Sequence, residues 1–135
     1  MKYIFDACAL IALFDGEEGY DTISDLILSP RVGPSIHSVN MIEVFYHFAR
    51  QNTDDALANS VLNDLLSVGI EIFDETYPKI WKEAAHLKTR YRPLSLADAI
   101  GVAYAKTIRG IFVTADHAEL DPLARDGVCK FFFFR

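Results

Sequence analysis

Ile111-Phe112-Val113-Thr114-Ala115-Asp116 is the stretch on which the reading of this chain turns. Its apolar run, ending in a β-branched threonine, reads as a strand buried on both faces of a parallel sheet. Asp116 follows just past its end. At the other end of the sequence, Lys2-Tyr3-Ile4-Phe5 reads as a strand that also finishes in an acid, Asp6. In an open α/β sheet, ligands bind in the crevice beyond the carboxyl ends of the strands. Two distant strands that each deliver an aspartate there point to a shared acidic site.

The segments between these strands alternate in kind. Ala7–Phe14 reads as a short apolar helix closed by Asp15-Gly16, and about Glu17–Leu28 as a second, with Tyr20, Ile23, Leu26 and Ile27 inward. Pro30 and Pro34 mark a break before a short strand around Ser35-Ile36. Ser38–Arg50 is helical, with Val39, Ile42, Phe45 (or Tyr46) and Ala49 recurring at helical spacing and Glu43, His47 and Arg50 on another face. Thr53-Asp54-Asp55 opens a helix that ends before Gly69. Ile70–Phe73 alternates as a strand does. Tyr77 to about Tyr91 is a helix tolerating Pro78 in its first turn, with Ile80, Trp81, Ala84, Ala85 and Leu87 supplying core. Ser95 caps a helix through Arg109, which Gly110 terminates. A brief helix near Leu120–Arg125 and an edge strand, Val128–Phe133, complete the chain. Strands alternating with helices predict a three-layer α/β sandwich: a mainly parallel sheet of about five strands, right-handed crossovers, helices on both faces.

Size and composition bound the function. The 135 residues suit one domain, residues 1–135, because two independent cores would be hard to build from them. No apolar run approaches the roughly 20 residues that span a bilayer, and the acid at position 6 comes too early for a signal-peptide core. Cys8 and Cys129 have neither a disulfide framework nor metal-ligand spacing; the expected location is the cytoplasm, with no membrane association. Thirteen basic against nineteen acidic residues give a net charge of −6. That balance excludes a protein that coats nucleic acid by bulk electrostatics. It leaves a nuclease open if converging carboxylates bind divalent cations, which invert the local field.

Each candidate acid also has an ordinary structural reading. Asp6 suits the N-cap of the helix after it. Glu43 suits the far end of a capping box begun at Asn40, and Asp98 the same role after Ser95. Asp116 suits a turn. Capping and ligand binding are compatible, however, because a first-turn carboxylate at the strand ends already faces the crevice. Four acids in one cleft repel and raise one another's pKa unless a cation sits among them. Mg²⁺ or Mn²⁺ is the natural partner for hard oxygen ligands, and two such ions could activate water against a phosphodiester.

The segments Ile4-Phe5-Asp6-Ala7-Cys8-Ala9-Leu10, Val39-Asn40-Met41-Ile42-Glu43-Val44, Leu94-Ser95-Leu96-Ala97-Asp98-Ala99 and Val113-Thr114-Ala115-Asp116-His117 together resemble the PIN-domain family. The similarity runs along the whole chain. It implies a PIN-like sandwich and a metal-dependent endoribonuclease that hydrolyses RNA phosphodiester bonds. Asp6, Glu43, Asp98 and Asp116 would be its catalytic and metal-binding quartet, with Mg²⁺ as cofactor and Mn²⁺ a possible substitute. Thr114 would steady the site by hydrogen bonding, with Asn40 and Asp121 as further supporting residues. The short single-domain form resembles the toxin half of a toxin–antitoxin pair (the VapC-like group), which implies a homodimer and a small antitoxin partner. Two departures stand out. Cys8 occupies a place where the family has Ser or Thr, and the aromatic often found after the last aspartate is missing; Glu119 or Asp121 could add a metal contact there.

Outside the quartet, Lys88, Arg90 and Arg92 form the one dense basic cluster. It reads either as a solvated helix end or, at Arg90 and Arg92, as contacts to RNA phosphates. Of the four histidines only His117 adjoins the acids. Phe131–Phe134 reads as core strand or, if exposed, as a dimer or partner surface. Two rival functions remain. One is a catalytically weak PIN-fold module that binds RNA or a partner, which Cys8 and the acidic balance favour. The other is a phosphoacceptor receiver domain, which needs a lysine after a late strand that this chain lacks.

Overall fold

The structure is a computed structural model that describes residues 1–51 and 54–135. Its strands are β1 (Lys2–Phe5), β2 (Gly33–His37), β3 (Glu71–Phe73), β4 (Ile111–Thr114) and β5 (Lys130–Phe133). They form one sheet in the order β3-β2-β1-β4-β5, and every neighbouring pair is parallel. The helices are α1 (Ala7–Asp15), α2 (Tyr20–Leu28), α3 (Ser38–Ala49), α4 (Ala56–Ser67), α5 (Pro78–Arg90), α6 (Leu96–Thr107) and α7 (His117–Arg125). The expected sandwich is therefore present, with β5 at an edge. No helix among the described residues is long and apolar enough to cross a membrane.

Parallel pairing buries the central strands on both faces, and the period-2 alternation of each strand then divides its side chains between two cores. Phe5, Ile36 and Val113 face one layer, where they pack with Leu10 of α1, Ile23 of α2, Val44 of α3 and Leu65 of α4. Ile4 and Phe112 face the other, with Ile80 and Leu87 of α5, Tyr104 of α6, and Leu120 and Leu123 of α7. β1 pairs with β4 so that Phe5 lies opposite Val113. From β1 the chain proceeds outward to β2 and β3; from β4 it proceeds the other way to β5. The order reverses between β1 and β4, the place where such sheets open a crevice at their carboxyl ends.

Several expectations about faces need correction. In α3 the buried stripe is Asn40, Met41, Val44 and Phe48, whereas Ile42 and Tyr46 are 65% and 61% exposed. Apolar residues run almost all round this helix, so its sequence offers two overlapping stripes and only packing against the sheet, α4 and α6 chooses between them. Tyr20, Trp81 and Ala85, expected in the core, are exposed. α2 starts at Tyr20 rather than Glu17. Its N-cap, Gly19, has φ 87°, and a Cβ there would lie 2.7 Å from the Phe134 ring. Phe134 is buried against that turn, Phe131 meets Phe112 edge-on, and Phe133 stacks on His117. The Phe131–Phe134 run is thus core and edge packing, not an exposed partner surface. Thr53, read as a helix cap, lies outside the described residues.

α6 is the most enclosed helix: Asp98 through Ala105 are all buried. Small residues allow this approach. A Cβ on Gly101 would fall 2.8 Å from Phe112 Cε2 and 2.9 Å from Asn40 Oδ1, both on fully buried side chains. Gly→Ala inside a helix ordinarily stabilises by about 1 kcal/mol, but overpacking a filled core costs about 1–3 kcal/mol. Gly101→Ala is therefore expected to lower the urea midpoint; a rise would show that α6 can shift away from α3 and β4.

Candidate active site

Three helices begin at the carboxyl ends of β1 and β4 or beside them, and each brings an acid in or next to its first turn. Asp6 is the N-cap residue of α1, yet its side chain makes no capping bond. Instead Asp6 Oδ2 accepts from Thr114 Oγ1 at 2.8 Å and from Cys8 Sγ at 3.4 Å. Thr114 Oγ1 in turn accepts from Asp116 N at 3.1 Å, so one hydroxyl on β4 ties the two strand-end aspartates together. Asp116 caps α7, its Oδ1 accepting from Glu119 N at 3.0 Å. Ser95 caps α6, its Oγ accepting from Asp98 N at 3.2 Å.

The expected capping box at Ser95 is only half formed by its own helix. Asp98 does not reach back to Ser95 N; that amide donates to Glu119 Oε1 at 2.6 Å, across from α7. Glu119 likewise leaves its own cap residue, Asp116, without the reciprocal bond and serves the neighbouring helix. At Asn40 the box is absent. α3 starts at Ser38, capped by His37, whose Nδ1 accepts from Val39 N at 3.1 Å. Asn40 is buried, donates Nδ2 to Ala97 O at 3.3 Å and leaves Oδ1 without a partner. It braces α3 against α6 rather than touching the acids.

Asp6, Glu43, Asp98, Asp116 and Glu119 line one cleft of about 360 Å³, together with Cys8 and Ser95. Within it, Asp98, Asp116 and Glu119 each present an oxygen within 4.8 Å of the other two. Asp6 and Asp98 are only 4% and 7% exposed, while Glu43 stands at the solvent-facing side on α3. Asp121 lies outside the cleft, because its Oδ1 is taken by His117 Nδ1 at 2.8 Å. His117 Nε2 meets Arg135 O at 2.8 Å, which turns that ring toward the C-terminal residue. Arg90 and Arg92 line a neighbouring cleft. Glu119 is the residue whose importance the sequence understated, although its spacing of three from Asp116 is a capping-box signal.

Burial, and after it the repulsion of like charges, raises the pKa values of Asp6, Glu43 and Asp98. Burial pushes Asp98 up to about 8, and Asp6, Glu119 and Asp116 add repulsion against which the Ser95 bond is a small counterweight. Burial also raises Asp6, despite the Thr114 and Cys8 donors that favour its charged form. Glu43 is raised by burial and then by Asp6 and Glu119. Burial and the Asp6 charge push the Cys8 thiol up to about 12, so Cys8 is a neutral, weak donor to Asp6. A donor set made wholly of carboxylate oxygens, repelling one another, fits a hard divalent cation. Asp98, Asp116 and Glu119 would hold it, with Asp6 beside them.

The pH dependence has a definite sign. Asp98 ionises near 3.8 ordinarily and near 8 here, so between those values the folded chain binds more protons than the unfolded one. Stability without metal then falls as pH rises through that window. Thermal melts in EDTA should give a lower Tm at about pH 8 than at about pH 5, and millimolar Mg²⁺ should recover the loss at the higher pH. A Tm that climbs over this range in EDTA would contradict the assigned crowding.

Comparison with known proteins agrees with the geometry. Solved structures of similar fold include VapBC2 from Rickettsia felis bound to a promoter DNA fragment, at 18% identity and TM-score 0.77, covering 98% of each chain. DNA-bound VapBC from Salmonella typhimurium is 17% identical with TM-score 0.74, covering 100% of this chain and 99% of that one. VapC20 from Mycobacterium tuberculosis, described as a sarcin-ricin loop cleaving toxin, is 18% identical with TM-score 0.63, covering 82% and 86%. No curated protein sequence matches this one. The PIN domain family model matches residues 3–124, nearly the whole chain and all four acid-bearing segments, and the protein belongs to that family.

Proposed function

We propose that this protein is a metal-dependent endoribonuclease, the toxin of a toxin–antitoxin pair. The observation that carries the reading is the set of mutually repelling carboxylates, Asp6, Asp98, Asp116 and Glu119, recessed at the reversal point of a parallel sheet. Membership of the PIN domain family and likeness in fold to VapC toxins support it.

Asp98, Asp116 and Glu119 would hold Mg²⁺ or Mn²⁺, with Asp6 completing the acidic wall. A cation there would supply positive charge against the clustered carboxylates and Lewis-acid stabilisation for the oxygen that leaves phosphorus. Thr114 and Cys8 fix Asp6 by donating to one of its oxygens, and Ser95 and Asp116 fix the first turns of α6 and α7. Glu43 is exposed and has a raised pKa, which suits it to accept the proton of the attacking water. Water oxygen bonds to phosphorus, the bond to the leaving nucleotide oxygen breaks, and that oxygen takes up a proton. Arg90 and Arg92 contact flanking phosphates.

The reading extends to two protein partners, a second copy of the chain and a small antitoxin. Its support is an apolar groove of about 730 Å³ between α3 and α4, where Ile42, Tyr46 and Leu66 are half or more exposed. A surface of that kind on a soluble domain marks an interaction site. The alternative, a PIN-fold module that binds without cleaving, draws on Cys8, whose thiol is a weaker donor to Asp6 than a hydroxyl would be.

Purified protein should cleave RNA with Mg²⁺ or Mn²⁺ and not in EDTA. Asp98→Asn and Glu119→Gln are each expected to reduce the rate by at least about a hundredfold, in the range for lost electrostatic stabilisation. Cleavage that persists in EDTA and in both variants would overturn the mechanism. Thr114→Val removes the hydroxyl shared by Asp6 and Asp116 and should lower kcat, whereas Cys8→Ser, which restores a stronger donor, should keep or raise it. Metal binding followed by calorimetry separates the two readings: a module that binds metal but never cleaves is the alternative.

A further inference from the structure

Beside the acidic cleft lies a second one of about 310 Å³, lined by Arg90, Tyr91, Arg92, Glu119, Arg125 and Asp126 among others. The two clefts share Glu119, and Leu94 of one adjoins Ser95 of the other, so they run into each other. Three guanidinium groups from separate positions converge here: two from the end of α5 and the loop after it, and Arg125 from the last turn of α7. None takes part in the ion pairs found among the described residues, which use Lys2, Lys106, Arg135, His47 and His117. Two carboxylates line the same cleft, and each accepts one hydrogen bond from elsewhere in the chain. Asp126 Oδ2 accepts the Tyr91 hydroxyl at 2.7 Å, and Glu119 Oε1 accepts Ser95 N.

The cluster is also held in place. Arg90 lies over the Tyr91 ring at 5.3 Å, and Tyr91 itself is 9% exposed. Lys88 Nζ donates to Leu94 O at 2.6 Å, pinning the loop that carries Arg92. A protein with net charge −6 thus sets three arginines, outside the ion pairs found among the described residues, around a cleft that borders its acids. Guanidinium forks match phosphate oxygens. The acids are recessed, and the path to them is concave. A single flexible backbone can follow it, whereas a stiff duplex holds its phosphates on a regular convex surface.

We propose that the Arg90–Arg92–Arg125 cleft binds the phosphates of an unpaired RNA strand on one side of the scissile bond, with Arg125 as a substrate-positioning residue. This rests on the ribonuclease reading for its substrate but is measured without catalysis. The probe is a fluorescein-labelled single-stranded RNA oligonucleotide bound to the intact protein in EDTA, followed by anisotropy across a salt series. Arg92→Gln with Arg125→Gln should weaken binding by about tenfold or more and reduce the slope of log K against log salt by about 1.4, at about 0.7 per phosphate released from a single strand. Lys130→Gln, at the opposite end of the sheet, should change neither. The same RNA as a duplex should not respond to the two arginine substitutions.

Unchanged affinity and salt slope in a double variant with native thermal stability would overturn the proposal, as would an equal response from the duplex. Should the double variant not fold, the single Arg92→Gln, on the loop, carries the same test with half the change in slope. Arginine-dependent binding with no cleavage in Mg²⁺ or Mn²⁺ would leave the cleft standing and remove the nuclease reading instead.

Discussion

Carboxylates held close together in a water-poor cleft oppose folding, and this structure gathers them at the one place where its sheet cannot fill the space with side chains. Burial and three neighbouring acids push the Asp98 pKa up to about 8, and burial raises that of Asp6 as well. The cost is contained by local donors. Thr114 and Cys8 serve Asp6, and backbone amides at the starts of α6 and α7 serve Asp116 and Glu119. Each helix start contributes orphan amides and the positive end of a dipole, which makes it a tolerable seat for an anion. Without a metal the remaining repulsion is relieved by a proton, and that sets the chain's response to pH.

The rest of the fold serves that convergence. Pairing of Phe5 with Val113 places Asp6 beside Thr114, so the link between the two strand ends follows from register alone. α6 has to approach closely enough to bring Asp98 to the same point, and Gly101 gives it the room where it meets Phe112 and Asn40. Asn40 then bridges α3 to α6 through Ala97 O, one residue before Asp98. It thereby ties α3 to the first turn of the helix that carries the acid.

Charge is distributed in a way the total conceals. The net −6 is no guide to the cleft beside Glu119, where Arg90, Arg92 and Arg125 take part in none of the ion pairs found among the described residues. Acids and arginines side by side along one concave path give a local field that changes sign from one cleft to the next. Under the proposed function that pattern suits a phosphate backbone, which arginines would hold at one point and a metal on the acids at the next. The apolar groove lies elsewhere, between α3 and α4, and shares no lining residue with the acidic and arginine-lined clefts.

The sequence by itself determined the strands and the acids at their ends. Ile111–Thr114 and Lys2–Phe5 are short apolar runs with no competing period, and local pattern was enough to fix them and to place Asp6 and Asp98 at helix starts. α7 begins at His117, three residues before the expected helix, which makes Asp116 its N-cap. Four motifs spread over the chain also carried the family. Packing decided what local pattern left degenerate. α3 has apolar residues on most sides, so its sequence could not say that Met41, Val44 and Phe48 go inward while Ile42 and Tyr46 stay out. Glu119 and Asp121 are two acids in one turn, and only the approach of α6 to α7 hands Glu119 to Ser95 while Asp121 turns to His117. Arg125 and Arg92 are more than thirty positions apart, and nothing in their spacing foretells a shared cleft. Side-chain periodicity reports which face a residue is on; which neighbour that face meets is a property of the assembled sheet and helices.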